Sequence, residues 1–324
     1  MTISVLYVLA GLAVLVKSAD LFVRGSAAVA GHLGMSPLLI GMIVVGFGTS
    51  APEMLVSATA SFEGNPGIAL GNAYGSNICN IALILGITAL IRPVLVTSGI
   101  LKKELPVLAA ATLVSAFMLY SGSLSRWEAV CLLLLFSGLL AASMVYAGRE
   151  DEDKFGDEVS KELERKALSL KEGIIRTFVG LVLLIASSRL LVTSSVDIAK
   201  ALGVSDLMIG LTIVALGTSL PELASSVTAT LRNEHEIAFG NIIGSNLFNT
   251  LCVVGIAGAI RPMRIESSVL LRDVPVMAAL TASLFITGYG FKGRPGRINR
   301  MEGLLLLISY LLYTGWIVAG YVRS

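Results

Sequence analysis

Gly48-Thr49-Ser50-Ala51-Pro52-Glu53 recurs as Gly217-Thr218-Ser219-Leu220-Pro221-Glu222, and the recurrence decides how the chain folds. Each copy lies inside an apolar run and places one carboxylate in its middle, 169 positions from the other. A second pair keeps the same offset: Gly71-Asn72-Ala73-Tyr74-Gly75-Ser76-Asn77-Ile78-Cys79-Asn80 matches Gly240-Asn241-Ile242-Ile243-Gly244-Ser245-Asn246-Leu247-Phe248-Asn249. In both copies the glutamate precedes the final asparagine by 27 residues. The halves align without a gap from Gly34 to Pro106 against Gly203 to Pro275, so the chain is a tandem repeat.

Composition says where the repeat sits. Of 324 residues 55% are hydrophobic and only 14% charged, and the mean hydropathy is +0.84; ordinary globular domains carry about 25% charged residues. This is a polytopic membrane protein. A net charge of +2 without basic-aromatic interleaving excludes nucleic acid as a partner. Cys79, Cys131 and Cys252 lie within apolar runs, an odd number with no paired spacing, and read as small core residues. The first apolar run carries Lys17 and Asp20 and has no small-residue cleavage site, which argues against a removable signal peptide.

A membrane span needs about 20 apolar residues. Ten windows qualify: 2–23, 37–61, 67–91, 104–121, 127–147, 174–197, 206–230, 237–260, 270–289 and 302–321. The polar, mixed-charge segment 148–173 divides them five and five, and its acids, Glu150 to Asp153, lack EF-hand spacing. Five helices per copy bring the second copy into the membrane from the opposite side. The predicted fold is therefore an all-α integral membrane protein of ten transmembrane helices in two inverted-topology five-helix repeats, 1–147 and 174–324. That architecture is typical of secondary transporters, with the site at the midplane between repeats. Fifteen Lys and Arg fall in loops on the linker side against six on the other, which predicts a cytoplasmic linker and both termini outside.

A charged carboxylate in mid-span costs at least a few kcal/mol unless it is paired, protonated or bound to a cation. Neither Glu53 nor Glu222 has a basic residue in its own run. Two carboxylates meeting between repeats repel when alone and suit a divalent cation. Helical spacing brings oxygens to them: Thr49 and Ser50 at i−4 and i−3 from Glu53, and Thr218 and Ser219 likewise from Glu222. Ser76 and Asn77 precede Asn80 by one turn, as Ser245 and Asn246 precede Asn249. Pro52 and Pro221 crowd the carbonyls of Gly48 and Gly217, so each helix is expected to kink and free backbone acceptors. Hard oxygens without histidine or thiolate ligands favour calcium or sodium over softer metals, and over magnesium with its strict octahedral demand.

Other polar residues read more plainly. Small-residue motifs in membrane helices are usually packing devices, and the GN and GSN glycines and Cys79 are read that way. Asp20 and Arg189 are expected to snorkel or to pair at an interface. Glu104 and Asp273 are expected to form solvated pairs with adjacent bases. His32 and His235 are placed in loops with no specific role.

The duplicated GTSxPE and GNxxGSNxxN segments resemble the alpha-repeats of the calcium/cation antiporter superfamily, specifically its prokaryotic sodium/calcium exchanger branch, over essentially the whole chain. The resemblance implies ion-coordinating acids at Glu53 and Glu222 and hydroxyl ligands at Thr49, Ser50, Thr218, Ser219, Ser76 and Ser245. It further implies backbone carbonyl ligands at Gly46 and Ala215 and a central polar pair at Asn80 and Asn249. Some relatives, including potassium-dependent exchangers, carry aspartate at the last position; Asn249 leaves two acids and disfavours potassium dependence. The expected function is an antiporter of the plasma (inner) membrane that extrudes calcium in exchange for sodium, with the first and sixth helices sliding against the other eight. It needs no cofactor and no obligatory protein partner. The alternatives are a proton/calcium exchanger of the same fold and a cation channel; no nucleophile-base or metal-histidine motif accompanies the glutamates to suggest an enzyme.

Overall fold

At membrane depth every backbone N–H and C=O must find its partner inside the protein, so apolar runs of this length fold as helices. The computed structural model describes residues 2–97, 99–147, 168–203, 215–289 and 296–323. The first run is a single helix, α1 (Thr2–His32). The second is broken: α2 (Pro37–Ile40), a π-helical turn Gly41–Val45, α3 (Gly46–Thr49) and, past Ser50, α4 (Ala51–Phe62), with a 44° bend at the break. α5 (Pro66–Ile78) continues through a π turn, Cys79–Ile84, into α6 (Leu85–Ile91). Strand β1 (Val94–Val96) and a π turn, Ile100–Glu104, lead to α7 (Leu105–Leu119), strand β2 (Ser123–Leu124) and α8 (Arg126–Ala147).

The second half begins with α9 (Leu170–Ala201) and proceeds through α10 (Ala215–Gly217) and α11 (Leu220–Leu231). It continues with α12 (His235–Leu247), the π turn Phe248–Val253, α13 (Val254–Ile260) and strand β3 (Met263–Arg264). The π turn Val269–Asp273, α14 (Val274–Thr287), strand β4 (Gly296–Ile298) and α15 (Arg300–Arg323) complete it. From α4 to the start of α14 the boundaries of helices and π turns recur at the 169-residue offset: Ala51–Phe62 with Leu220–Leu231, Cys79–Ile84 with Phe248–Val253, Ile100–Glu104 with Val269–Asp273.

Among the described residues seven helices are long and apolar enough to cross a membrane, eight if the bent pair Pro37–Thr49 and Ala51–Phe62 is one span. The fourth predicted span carries Lys102, Lys103 and Glu104 in the π turn that opens its helix, one charge more than its counterpart Val269–Thr287, which is apolar enough through the same turn, and residues 204–214, the start of the seventh, lie outside the described residues. Most of the linker, 148–167, lies outside them as well. Its end is already helical, because Ser169 and Glu172 form a reciprocal capping box that starts α9 at Leu170, four residues earlier than predicted. α1 also runs nine residues past its predicted end. Asp20 and Arg24 pair at i,i+4, so the polar turn does not stop the helix. His32 closes α1 and His235 opens α12, so neither histidine is in a loop; the His32 ring also meets the Leu168 carbonyl at 2.7 Å.

Burial ranks the helices. The apolar stretches of Pro66–Ile91 and His235–Ile260 are 72% and 83% buried, against 11% for Arg126–Ser143 and Arg300–Ala319. The duplicated GN segments thus occupy the centre. α1 and α9 pack side by side through small residues; a Cβ on Gly180 would stand 2.6 Å from the Phe22 backbone nitrogen. Among the described residues two antiparallel strand pairs tie first half to second, β1 to β4 (Leu95 opposite Arg297) and β2 to β3 (Leu124 opposite Met263). Asp273 departs from expectation. Its arginine partner is present, Arg272 Nε donating at 2.6 Å, but the carboxylate is buried under α15 and also accepts from the Tyr313 hydroxyl at 2.9 Å.

Candidate functional site

Both repeated segments break as their prolines require. Ser50 (φ −82°, ψ 2°) and Ser219 (φ −90°, ψ 4°) leave helical geometry, and Pro52 and Pro221 sit in the first turns of α4 and α11, where a missing N–H costs nothing. Each glutamate therefore lies in the first turn of a helix that starts inside the protein. Its carboxylate faces the positive end of the helix dipole. The Gly217 carbonyl, freed by Pro221, accepts from Ser188 Oγ of α9 at 2.8 Å; the equivalent position in α1 is Ala19, which offers no donor.

Glu53 and Glu222 are 1% and 2% exposed. Neither oxygen of Glu53 has a hydrogen-bond partner, and Glu222 has one, Ser50 Oγ of the other half, which donates to Oε1 at 3.3 Å. Thr218 lies against the Glu53 carboxylate. Further buried oxygens without partners are Thr218 Oγ1, Ser219 Oγ, Ser245 Oγ, Asn80 Oδ1 and Asn249 Oδ1. Asn80 Nδ2 donates to Asn246 Oδ1 at 3.0 Å, which leaves its own Oδ1 spare, and Asn77 Nδ2 donates to Thr250 Oγ1 at 2.7 Å, so both amide nitrogens are used across the repeat interface. α4 packs on the π turn that holds Asn249, and α11 on the one that holds Asn80, a crosswise arrangement that brings the segments of both copies together. π turns of this kind aim side chains and carbonyls that a regular helix would keep in its own ladder.

Of the remaining predicted residues, Thr49 lies against the Glu222 carboxylate. Ser76 is buried one turn before Asn80. Thr49 Oγ1 donates toward Val45 O at 3.0 Å or Asn241 Oδ1 at 3.1 Å, leaving its lone pairs as acceptors. Gly46 and Ala215 open α3 and α10 just before the breaks, and the Gly46 carbonyl already accepts from Ser50 N at 3.0 Å. Close packing holds at Gly240 and Gly244, where an added Cβ would strike the backbone around Met42, and at Gly46, where it would stand 3.1 Å from Ser245 N, but not at Gly71 and Gly75, the same positions of the first copy, where no heavy atom lies within 4 Å of a Cβ. Cys79 is buried, as its packing role requires.

Two functional residues escaped the sequence reading. Asn241 Nδ2 reaches Ser226 Oγ at 2.8 Å, Ser225 Oγ at 3.3 Å and the Glu222 carbonyl at 3.3 Å; its counterpart Asn72 reaches Ser57 Oγ at 3.0 Å and the Glu53 carbonyl at 3.2 Å. Each clips the helix that carries a carboxylate to the central helix. The signal was present, since Asn72 and Asn241 share the 169-residue offset.

Leaving a buried neutral polar group unpartnered costs about 1–3 kcal/mol, and a carboxylate more. Eight such oxygens in one cluster, three of them on carboxylates, are a poor core and a good cradle for a hard cation. Two formal negative charges suit one divalent ion or more than one monovalent ion.

Comparison with known proteins agrees with that chemistry. The family described as sodium/calcium exchanger protein matches residues 3–145 and 173–319. A putative antiporter, CaxA, of Alkalimonas amylolytica is 44% identical over 315 residues, 97% of this chain and 98% of its own length. The sodium/calcium exchanger MaX1 of Methanosarcina acetivorans is 30% identical over 96% of this chain and 97% of its own length. The solved structure of the sodium-calcium exchanger NCX_Mj soaked with zero Na+ and Ca2+ superposes with a TM-score of 0.83 at 33% identity, covering 96% of this chain and 98% of the other.

Proposed function

The chain belongs to the sodium/calcium exchanger protein family, and from that premise we propose that it exports calcium in exchange for sodium at a site built on Glu53 and Glu222. The observation that carries the reading is the gathering of both repeated carboxylates, with their unpartnered oxygens, in one buried cluster of hydroxyl and amide acceptors. Thr49, Ser50, Thr218, Ser219, Ser76, Ser245, Asn80, Asn249 and the carbonyls of Gly46 and Ala215 complete the proposed ligand set. The same oxygens serve calcium or sodium but not both at once. Loading is then mutually exclusive, which gives exchange and not co-transport.

In this reading ten helices form two inverted repeats, the protein resides in the plasma membrane, and the linker side is cytoplasmic. α1 and α9 slide over a core of the remaining helices and expose the site to one side at a time. The packing of α1 on α9 through glycines and the strand pairs that bind the rest of the chain across the halves support that division. Coupling follows from electrostatics: two bare carboxylates in a closed site repel each other, so the unloaded protein does not cross between its states.

The test is uptake of radiolabelled calcium into proteoliposomes preloaded with sodium, compared at fixed pH with vesicles preloaded with potassium or choline. Uptake is expected only with internal sodium. Uptake indifferent to sodium but driven by a pH gradient would replace sodium by protons at the same glutamates, and calcium conduction with no counter-ion would point to a channel.

A further inference from the structure

The first copy of the repeat carries an acid at two positions, 20 and 63, where the second carries an arginine, 189 and 232, so each acid finds its base in the other copy. Asp20 on α1 and Arg232, which follows α11, correspond at the 169-residue offset to Arg189 on α9 and Glu63, which follows α4. The first pair is closed: Arg232 presents both Nε and Nη2 to Asp20 Oδ1, and Arg24 holds Asp20 Oδ2 at 3.1 Å. The second pair is apart. Among the described residues neither Arg189 nor Glu63 has an ion-pair partner, and both line a cavity of about 370 Å³ together with Leu55, Thr59 and Ile68. Arg261, which lies against Gly64, forms no ion pair with Glu63 either.

That cavity has a continuation. A second one, of about 130 Å³, shares Val56 and Arg189 with it and reaches Pro52, Ser188, Gly217 and Thr218. The carboxylate cluster is thus approached by open space from the Glu63–Arg189 end, while the Asp20–Arg232 end is bridged.

We propose that Asp20–Arg232 and Glu63–Arg189 are alternating gates, one formed and one open, which exchange roles as the protein passes between its two access states. The proposal rests on the exchange reading above, in which inverted repeats place the two pairs at opposite mouths. The strength of the closed pair suits a gate, since Asp20 and Arg232 side chains are 37% and 31% exposed, and an ion pair this wet is weak enough to break in every cycle. Arg24 adds the complementary feature. It stays with Asp20 when Arg232 leaves, so opening that mouth does not strand the carboxylate. Thr193 stands where Arg24 stands in the first copy, so the second gate has no such companion and depends on its two members alone.

The test reads conformation without transport. Thr193 is exposed on the wall of the inner cavity, and Thr193→Cys can be labelled in nanodiscs with a methanethiosulfonate reagent, after subtraction of the parent chain's own Cys79, Cys131 and Cys252. Glu63→Gln, unable to close the cavity end, is expected to label about two- to fivefold faster, and Asp20→Asn, which loses the opposite gate, slower by a similar factor, the range open to a part-exposed ion pair. Glu63→Arg combined with Arg189→Glu should return the rate to within about twofold of the parent, because the pair is rebuilt with its signs reversed. Unchanged rates in both single variants, shifts in the same direction, or a double reversal that fails to restore the rate overturn the proposal. Since labelling needs no gradient, opposed shifts alongside sodium-independent calcium uptake would overturn the exchange reading and leave the gates standing.

Discussion

Glu53 brings two unpartnered oxygens to the cluster and Glu222 one, so replacing either by glutamine keeps the shape and removes one of two charges. A divalent ion depends on that charge more steeply than a monovalent one. Glu53→Gln and Glu222→Gln are therefore expected to lower calcium binding by at least about tenfold, the worth of one charged contact, and to take exchange to background while elution and melting stay near the parent's. Titration calorimetry with calcium and with sodium separates this from misfolding, and calcium affinity unchanged in either variant removes that glutamate from the site. The asparagine clips make a second, graded prediction. Asn241→Ala frees two serine hydroxyls and a carbonyl and Asn72→Ala one hydroxyl and a carbonyl, so both should destabilise by about 1–3 kcal/mol, Asn241 more than Asn72. Thermal melting in detergent checks the order. The sequence made the glutamates legible because a carboxylate in an apolar run demands an explanation by itself. An asparagine does not: its role depends on which helix lies opposite, and that is a property of the packed chain.

At the level of the helix, what could be read was governed by what interrupts an apolar pattern. The prolines announced the breaks, and these fall at Ser50 and Ser219 as the lost N–H groups require. The π turns at Cys79–Ile84 and Phe248–Val253 were invisible, because an inserted residue shows in sequence only as a slip of the polar face, and these central helices are buried almost all round. Buried Asp273 was misread for a related reason: the bases beside it are local in sequence, whereas Tyr313, which holds it inside, comes from α15. Contact between α1 and α9 yields a prediction of its own. A Cβ on Gly180 would press on the Phe22 backbone, which cannot turn aside as a side chain can, so Gly180→Ala should cost about 1–3 kcal/mol by overpacking. Gly315, with no heavy atom within 4 Å of a Cβ, is the control; Gly315→Ala should be neutral or stabilising by up to about 1 kcal/mol from helix propensity. Equal melting shifts in the two variants would mean that α1 and α9 are not held by close backbone approach.

Across the whole molecule, the repeat does more than double the ligands. A carboxylate from one copy meets a serine from the other, and the asparagine amides bridge between copies, so each half is incomplete without its twin. If exchange proceeds by α1 and α9 moving over the rest, the strand pairs between halves should keep their register throughout the cycle. Leu95 and Arg297 face each other across β1 and β4, and residues directly opposite in an antiparallel pair have Cα atoms about 4.5–5.5 Å apart, within the span a disulfide closes without moving the backbone. Leu95→Cys with Arg297→Cys, oxidised in proteoliposomes, is thus expected to leave sodium-driven calcium uptake within about twofold of the reduced protein, since a bridge inside a rigid body removes no motion the cycle uses. The thiols are distant from the carboxylate cluster in sequence and on another element, so lost uptake could not be laid to damage at the site. Uptake that stops on oxidation and returns on reduction would show that the two halves shear at this clasp, and would move the sliding boundary from the α1–α9 surface into the core itself.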